Sequence, residues 1–314
     1  YVSNLLPFRK GELEKMKKIW ILLLIVIQLL ILWGIYDSTH EFNYVTDFRL
    51  PFFFYQGFDL KNPNYHEPFK ASFVKADQVE IENFVGNLEI EYADVDEVIF
   101  TGEKLLFGQK KDLDILENFC IEEKRLGNKA IFSLVKPNFT NATTGFAGKV
   151  IIPKTVRKLT VNVSIGKVVS IDGECELDLK ADLGEVIIKQ HTGSLSIRAK
   201  LGAVKLNSIK PGERLVVRAE LGDIEYAGNL ADSSEFIASL GSIKLKLPPS
   251  TVTNIEADVD LGSFDCDFPV SQTKQSGLGK SVMGVLGSLE ETPTGNLKIK
   301  ADLGSININK AVIW

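Results

Sequence analysis

Four aspartates, Asp258, Asp260, Asp265 and Asp267, crowd the stretch "ADVDLGSFDCDF" on either side of Gly262. Alternation in an extended chain puts all four on the outer face of one repeat, and an oxygen-rich cluster of this kind can hold Ca²⁺. The plainer reading is a solvated acidic face, neutralised by Lys244 and Lys246 one repeat earlier. Lys180, Arg198 and Arg218 recur in step with the same repeat and form a short basic column able to meet an anionic polymer. Asp182 and Glu220 sit diagonally beside them. Other chemistry has little footing. His40, His66 and His191 have no obvious partners, and no G-x-S-x-G, H-E-x-x-H or Walker loop is present. Cys120, Cys175 and Cys266 lie far apart with no C-x-x-C, so zinc and redox sites are not expected and the three read as small buried hydrophobes. The expectation is a protein that is not an enzyme and carries no cofactor. A net charge of −5 also argues against a nucleic-acid partner.

These residues are positioned by a repeat. "ADLGEVIIKQHTG" at 181–193 recurs as "AKLGAVKLNSI", "AELGDIEYAG", "ASLGSIKLKL", "VDLGSFDCDF" and "ADLGSININK", with a degenerate copy, "VSIGKVVSIDG", from Val163. Its marker glycines are Gly166, Gly184, Gly202, Gly222, Gly241, Gly262 and Gly304. Successive differences are 18, 18, 20, 19, 21 and 42 residues, the last being twice 21. Strand-like content at a fixed period predicts a parallel β-helix, or β-solenoid, with rungs of about 18–21 residues. Each glycine would take positive φ at a corner, with the preceding leucine plugging the inside of the bend. Ala181, Ala199, Ala219, Ala238 and Ala301 would stack where the interior is narrow. Outward, Lys205, Glu225, Lys244 and Asp265 alternate in sign from rung to rung, which suits stacked cross-strand pairs. The L-x-x-L-x-L-x-x-N spacing of leucine-rich repeats is absent.

Upstream, residues 16–36, "MKKIWILLLIVIQLLILWGIY", carry no charge from Ile19 to Tyr36, long enough to span a bilayer. Trp20, Trp33 and Tyr36 suit the interfaces, and Lys17 and Lys18 put the N-terminus in the cytoplasm. This predicts a single-pass plasma-membrane anchor with the rest of the chain extracytoplasmic. A cleaved signal peptide is the rival, but no convincing cut site follows. Residues 1–15 form a cytoplasmic tail, or lie upstream of a true start at Met16. Residues 37–72 are aromatic-rich and read as a linker or cap, with an interfacial segment as the alternative. The β-solenoid domain occupies 73–314. It contains paired strands around Gly86, a hairpin through Gly127 and Asn128, two strands parted at Pro153, and a short helical stretch near 111–118.

Residues 269–295 break the repeat. Gly277, Gly279, Gly284 and Gly287 make this stretch flexible, while Val282, Met283, Val285 and Leu286 make it apolar. It either replaces one rung or protrudes from it, and its apolar residues mark a possible contact loop.

The string "IENFVGNLEI" at 81–90, the "VIIPK" strand, the serial strand-Gly-strand units and "LGSIKLKLPPSTVTNIEADVDLGSFDCDFPV" together resemble the bacterial family called putative adhesins. The resemblance covers about 73–310. It departs where this chain has Leu before the repeat glycine, since members more often carry Asn or Ser there. It implies an extracytoplasmic β-solenoid acting as a surface binding or structural module, with an envelope polymer or envelope protein as partner. Two alternatives stand beside that reading. One is a regulatory component of an envelope stress or signalling system, in which Gln28 within the span could bond another helix. The more distant one is a polysaccharide-active enzyme.

Overall fold

Strict alternation cannot run through the repeat, because the inward residues flanking each corner, such as Ala181 and Val186, are an odd number of positions apart. The bend must absorb the mismatch, and the computed structural model shows how. It describes residues 63–108, 112–134, 143–271, 273–276, 279–288 and 290–312. These belong to the second of two compact units, Phe58–Trp314. The expected cytoplasmic tail and membrane anchor lie outside the described residues, among which no helix is long and apolar enough to cross a membrane.

The described chain is nearly all β, as the alternation predicts. Strands β1 (Tyr65–Val74), β2 (Gln78–Val85), β3 (Leu88–Ala93) and β4 (Glu97–Phe107) precede one helical turn, α1 (Asp114–Glu117). Then come β5 (Ile121–Leu126), β6 (Lys129–Leu134) and β7 (Thr143–Pro153). The repeats follow as five strand pairs: β8 (Lys158–Ile165) and β9 (Val168–Gly173), β10 (Glu176–Leu183) and β11 (Val186–Thr192), β12 (Leu195–Leu201) and β13 (Val204–Lys210), β14 (Arg214–Leu221) and β15 (Ile224–Gly228), β16 (Ser233–Leu240) and β17 (Ile243–Leu247). The chain ends with β18 (Thr253–Leu261), β19 (Phe264–Cys266), β20 (Thr273–Ser276), β21 (Gly279–Leu286), β22 (Asn296–Leu303) and β23 (Ile306–Lys310).

Each repeat sends its first strand to a 12-stranded sheet and its second to an 11-stranded sheet. Successive repeats pair in parallel and in register: Ala181 sits beside Ala199, Ala199 beside Ala219, and Ala219 beside Ala238. Their inward side chains form one continuous hydrophobic core drawn from both sheets. The first strand begins at Tyr65, inside the stretch read as linker or cap, and runs antiparallel to β4 at a sheet edge. Beside it the core is filled by Phe69, Phe73, Phe84, Phe100, Phe132 and Phe146, mostly in edge-to-face contact.

Corner geometry explains the repeated phrase. Gly202 has φ 144°, and a Cβ there would overlap the carbonyl oxygen of Gly184 in the rung before. The same approach links Gly86, Gly166, Gly184, Gly202, Gly222, Gly241, Gly304 and Gly262, in that spatial order. Corner amides extend the ladder through the bend: Gly184 N donates to Leu201 O and Gly202 N to Leu221 O, each at 2.9 Å.

Three expectations need correction. The corner leucine does not plug the inside of the bend. With Ala181 and Val186 both inward, the residues between them turn outward, so Leu221, Leu240, Leu303 and Leu261 are 43%, 44%, 45% and 46% exposed. Second, residues 269–295 neither replace a rung nor simply protrude; β21 pairs antiparallel with β18 and β20 with β21, extending the larger sheet past its last repeat. Third, rungs do not stack in chain order. β22 lies between β16 and β18, and β23 between β17 and β19, so the final repeat fills a gap left one rung back. Lys244 and Asp265 are therefore separated by Asn307, and the expected sign alternation in that column fails there. In the column of Asp182 and Lys200 it gives an ion pair of 2.7 Å, whereas Lys205, in register with Ile187, reaches diagonally to Glu185 at 2.7 Å.

The corner predicts an asymmetry between two close positions. Gly202→Val is expected to cost more than about 2 kcal/mol in urea unfolding, combining positive-φ strain with backbone overlap. Lys205→Ala, which removes one exposed ion pair, is expected to stay within about 0.5 kcal/mol. Equal tolerance would contradict the close glycine stack.

Candidate contact site

The interruption at 269–295 has two faces because a strand's side chains alternate. In β21, Val282 and Leu286 are fully buried in the core and cover its end, while Met283 is 58% exposed on the outer face. Val285 is half-buried. The four residues expected as a contact loop thus divide between packing and exposure. The hairpin is fastened further where Val285 N donates to Ser271 Oγ at 2.9 Å.

Met283 opens onto a groove of roughly 520 Å³ across three strands of the larger sheet. Register places Met283 beside Glu256, and Glu256 beside Lys298. One pair along, the Asn254 amide donates from Nδ2 to Asn296 Oδ1 at 3.2 Å. Lys298 Nζ stands 4.0 Å from Glu256 Oε1, a loose pair at an exposed site that contributes little to stability. Ser271 completes the rim. Amides, a separable ion pair, a hydroxyl and a polarisable thioether make a surface suited to binding. Only the hairpin residues of this groove stand out in sequence. Asn296 and Lys298 meet Asn254 and Glu256 because the last repeat folds back, which nothing local in the chain signals.

The four aspartates do not assemble. Asp258 and Asp260 lie in β18 of the larger sheet and Asp265 in β19 of the smaller one. Asp260 stands 3.9 Å from Lys300, and Asp267 accepts the Lys310 backbone amide at 3.2 Å. No group of three or more His, Cys, Asp or Glu able to hold a metal occurs among the described residues. For Asp258 and Asp260 the neutralising neighbour is Lys300 of the interposed rung rather than Lys244 or Lys246. Lys180, Arg198 and Arg218 do stack in register, and Arg218 pairs with Glu235 at 3.0 Å.

Two residues singled out as bland in sequence meet inside. His191 is 1% exposed and sits opposite Gly173, where any Cβ would strike its ring. Its Nε2–H donates to Cys175 O at 3.0 Å, leaving Nδ1 buried with no partner among the described residues. Burial pushes the imidazole down to about 4, and burial likewise lifts the Cys175 thiol to about 11. The thiol lies 3.6 Å from Tyr92 Oη, not against the imidazole, so no nucleophile–base pair forms.

No family model matches the chain, and no curated protein does. Among solved structures it is similar to one described as a putative cell adhesion protein from Clostridium sporogenes, at 14% identity and a TM-score of 0.29, over 78% of this chain and 100% of that one. It is similar too to one described as a putative adhesin from Bacteroides fragilis, at 13% identity and a TM-score of 0.31, over 77% and 97%. A third, described as a putative adhesin from Parabacteroides distasonis, matches at 11% identity and a TM-score of 0.27, over 79% and 97%. Likeness at this level carries no inference about this chain's ligand.

His191 makes stability pH-dependent. Its folded pKa of about 4 lies below the ordinary 6.5, so the unfolded chain binds the proton first as pH falls. The His191 contribution is complete above pH 6.5 and lost progressively toward pH 4, amounting to roughly 3 kcal/mol. Urea midpoints at pH 7 and pH 4.5 should therefore converge in His191→Leu relative to the parent. Parallel pH profiles would show that His191 is not held neutral.

Proposed function

We propose that this chain is a membrane-anchored, extracytoplasmic β-solenoid that works by binding, adhesin-like, with a cell-envelope polymer as its ligand and no catalytic step. The parallel, in-register stacking of strand pairs over one core supports the solenoid reading. The apolar span Ile19–Tyr36, preceded by Lys17 and Lys18, supports the anchor and its orientation. One observation carries the binding reading: Met283 stands exposed beside Glu256, Lys298 and the Asn254–Asn296 amide pair, on a strand whose Val282 and Leu286 seal the core. Covering the core end needs Val282 and Leu286; it does not need an exposed methionine at the centre of a polar groove. Amide and hydroxyl groups around an apolar patch match the hydroxyl-rich, partly apolar faces of a polysaccharide.

The test separates the two faces of β21. Full-length chain in detergent is co-sedimented with isolated cell-wall sacculi. Met283→Asp and Lys298→Glu are each expected to weaken binding at least tenfold while leaving thermal melting unchanged. Leu286→Ala is expected to lose about 2–5 kcal/mol of stability instead. Binding indifferent to both groove substitutions would remove the groove as the contact site.

A further inference from the structure

The outward corner leucines form a continuous ridge. In spatial order Ile165, Leu183, Leu201, Leu221, Leu240, Leu303 and Leu261 sit side by side in register, one per rung. At about 4.8 Å per rung the ridge runs for roughly 29 Å along the stack. The last four are close to half exposed, and a contiguous apolar stripe rimmed by charge marks an interaction surface. At its first end the structure shows how such a surface is covered: Leu105 and Phe107 of β4 pack over Val85 and Ile165. Beyond Ile165 no described residue continues that cover.

We infer that the uncovered part of the ridge, from Leu183 to Leu261, is a self-association surface, covered by the same part of a second copy of this chain running antiparallel. Period is the first argument. A second ridge has the same rung spacing and stays in step along its whole length. An α-helix, advancing about 5.4 Å per turn, drifts out of step over the same distance. Charge is the second argument. The residues preceding the leucines read Ser164, Asp182, Lys200, Glu220, Ser239, Asp302 and Asp260, and those following the glycines read Lys167, Glu185, Ala203, Asp223, Ser242, Ser305 and Ser263. A two-fold axis perpendicular to the ridge sets like flank against like flank, which makes the contact self-complementary.

Among registers that overlap at least four of the six rungs from Leu183 to Leu261, one avoids all like-charge meetings. It centres the axis between Leu201 and Leu221. Lys200 then faces the partner's Glu220, and Glu220 faces the partner's Lys200. Asp182 meets the partner's Ser239, Glu185 the partner's Ser242, and Asp223 the partner's Ala203. Shifting by one rung either way opposes Glu220 with the partner's Glu220, or Lys200 with the partner's Lys200. The ridge is narrow, so its area falls short of a standard stable interface, and association is expected to be reversible and concentration-dependent. This inference depends on the stacking alone and stands apart from the polymer-binding groove.

The experiment uses full-length chain reconstituted singly into zwitterionic nanodiscs and followed by sedimentation velocity over a range of concentrations. The parent should dimerise reversibly, and Leu221→Ser should raise the dissociation constant at least tenfold with unchanged melting. Lys200→Glu alone should lose self-association, as should Glu220→Lys alone. Mixed together, these two variants should pair with each other, because each glutamate then meets a lysine across the axis. A parent that stays monomeric throughout overturns the inference. Self-association untouched by either charge reversal, or reversed variants that fail to pair on mixing, overturns it equally.

Discussion

The whole structure depends on how closely two backbones approach at the corner. The Cα of each corner glycine lies against the carbonyl of the corresponding glycine one rung before, at a positive φ, with the amide bonded onward to the next rung. A side chain at that point would part the rungs and interrupt the hydrogen-bond ladder. With no side chain, the ladder passes through the bend unbroken and both sheets keep one register. The inward columns follow from that register, and so does the outward ion pair Lys200–Asp182. The corner also turns the leucines out, creating an apolar ridge where plain alternation would have buried it.

A stack of identical rungs has two open ends, and the chain treats both alike. At one end β4 and β1 run antiparallel beyond β7, with β5 antiparallel beyond β6 and a cluster of phenylalanines beneath. At the other, the chain skips a rung, lays β18 and β19, turns the β20–β21 hairpin against them, and returns to fill the gap with β22 and β23. Terminal caps of this sort keep a repeat stack from exposing its core. The return also creates the candidate contact site, since Lys298 and Asn296 reach Glu256 and Asn254 only because the last repeat is interposed. Core sealing and groove formation are two results of one topological step.

Much of this was readable from residue pattern. The repeat marked the corners because φ and close approach demand glycine at each one, and alternation marked the inward columns because their burial demands it. What pattern could not show is order. Every rung presents the same apolar face to its neighbours, so "ADLGSININK" fits between any two of them, and placing it beside "ASLGSIKLKL" needs the three-dimensional stack. The leucine direction is not legible because period-two counting does not survive the bend. Gly86, in "FVGNLEI", begins the glycine column between the paired strands, but its flanks lack the leucine that marks the later copies. The interruption at 269–295 was visible as a break in phase, but its hairpin was hidden by a glycine content that reads as loop.

Stacking order decided by the corner approach is tested most directly by cross-linking across it. Ser305 Oγ and Ser242 Oγ are 3.1 Å apart in adjoining rungs, whereas Ser263, which follows Ser242 in the next repeat along the chain, stands one rung further away. In a background with Cys120, Cys175 and Cys266 replaced by alanine, Ser242→Cys with Ser305→Cys should close a disulfide under mild oxidation, because neighbouring strands bring their Cα atoms within its reach. Ser242→Cys with Ser263→Cys, about two strand spacings apart, should remain reduced. The reverse outcome, with 242 bonded to 263 and not to 305, would mean that the rungs stack in chain order and would contradict the account.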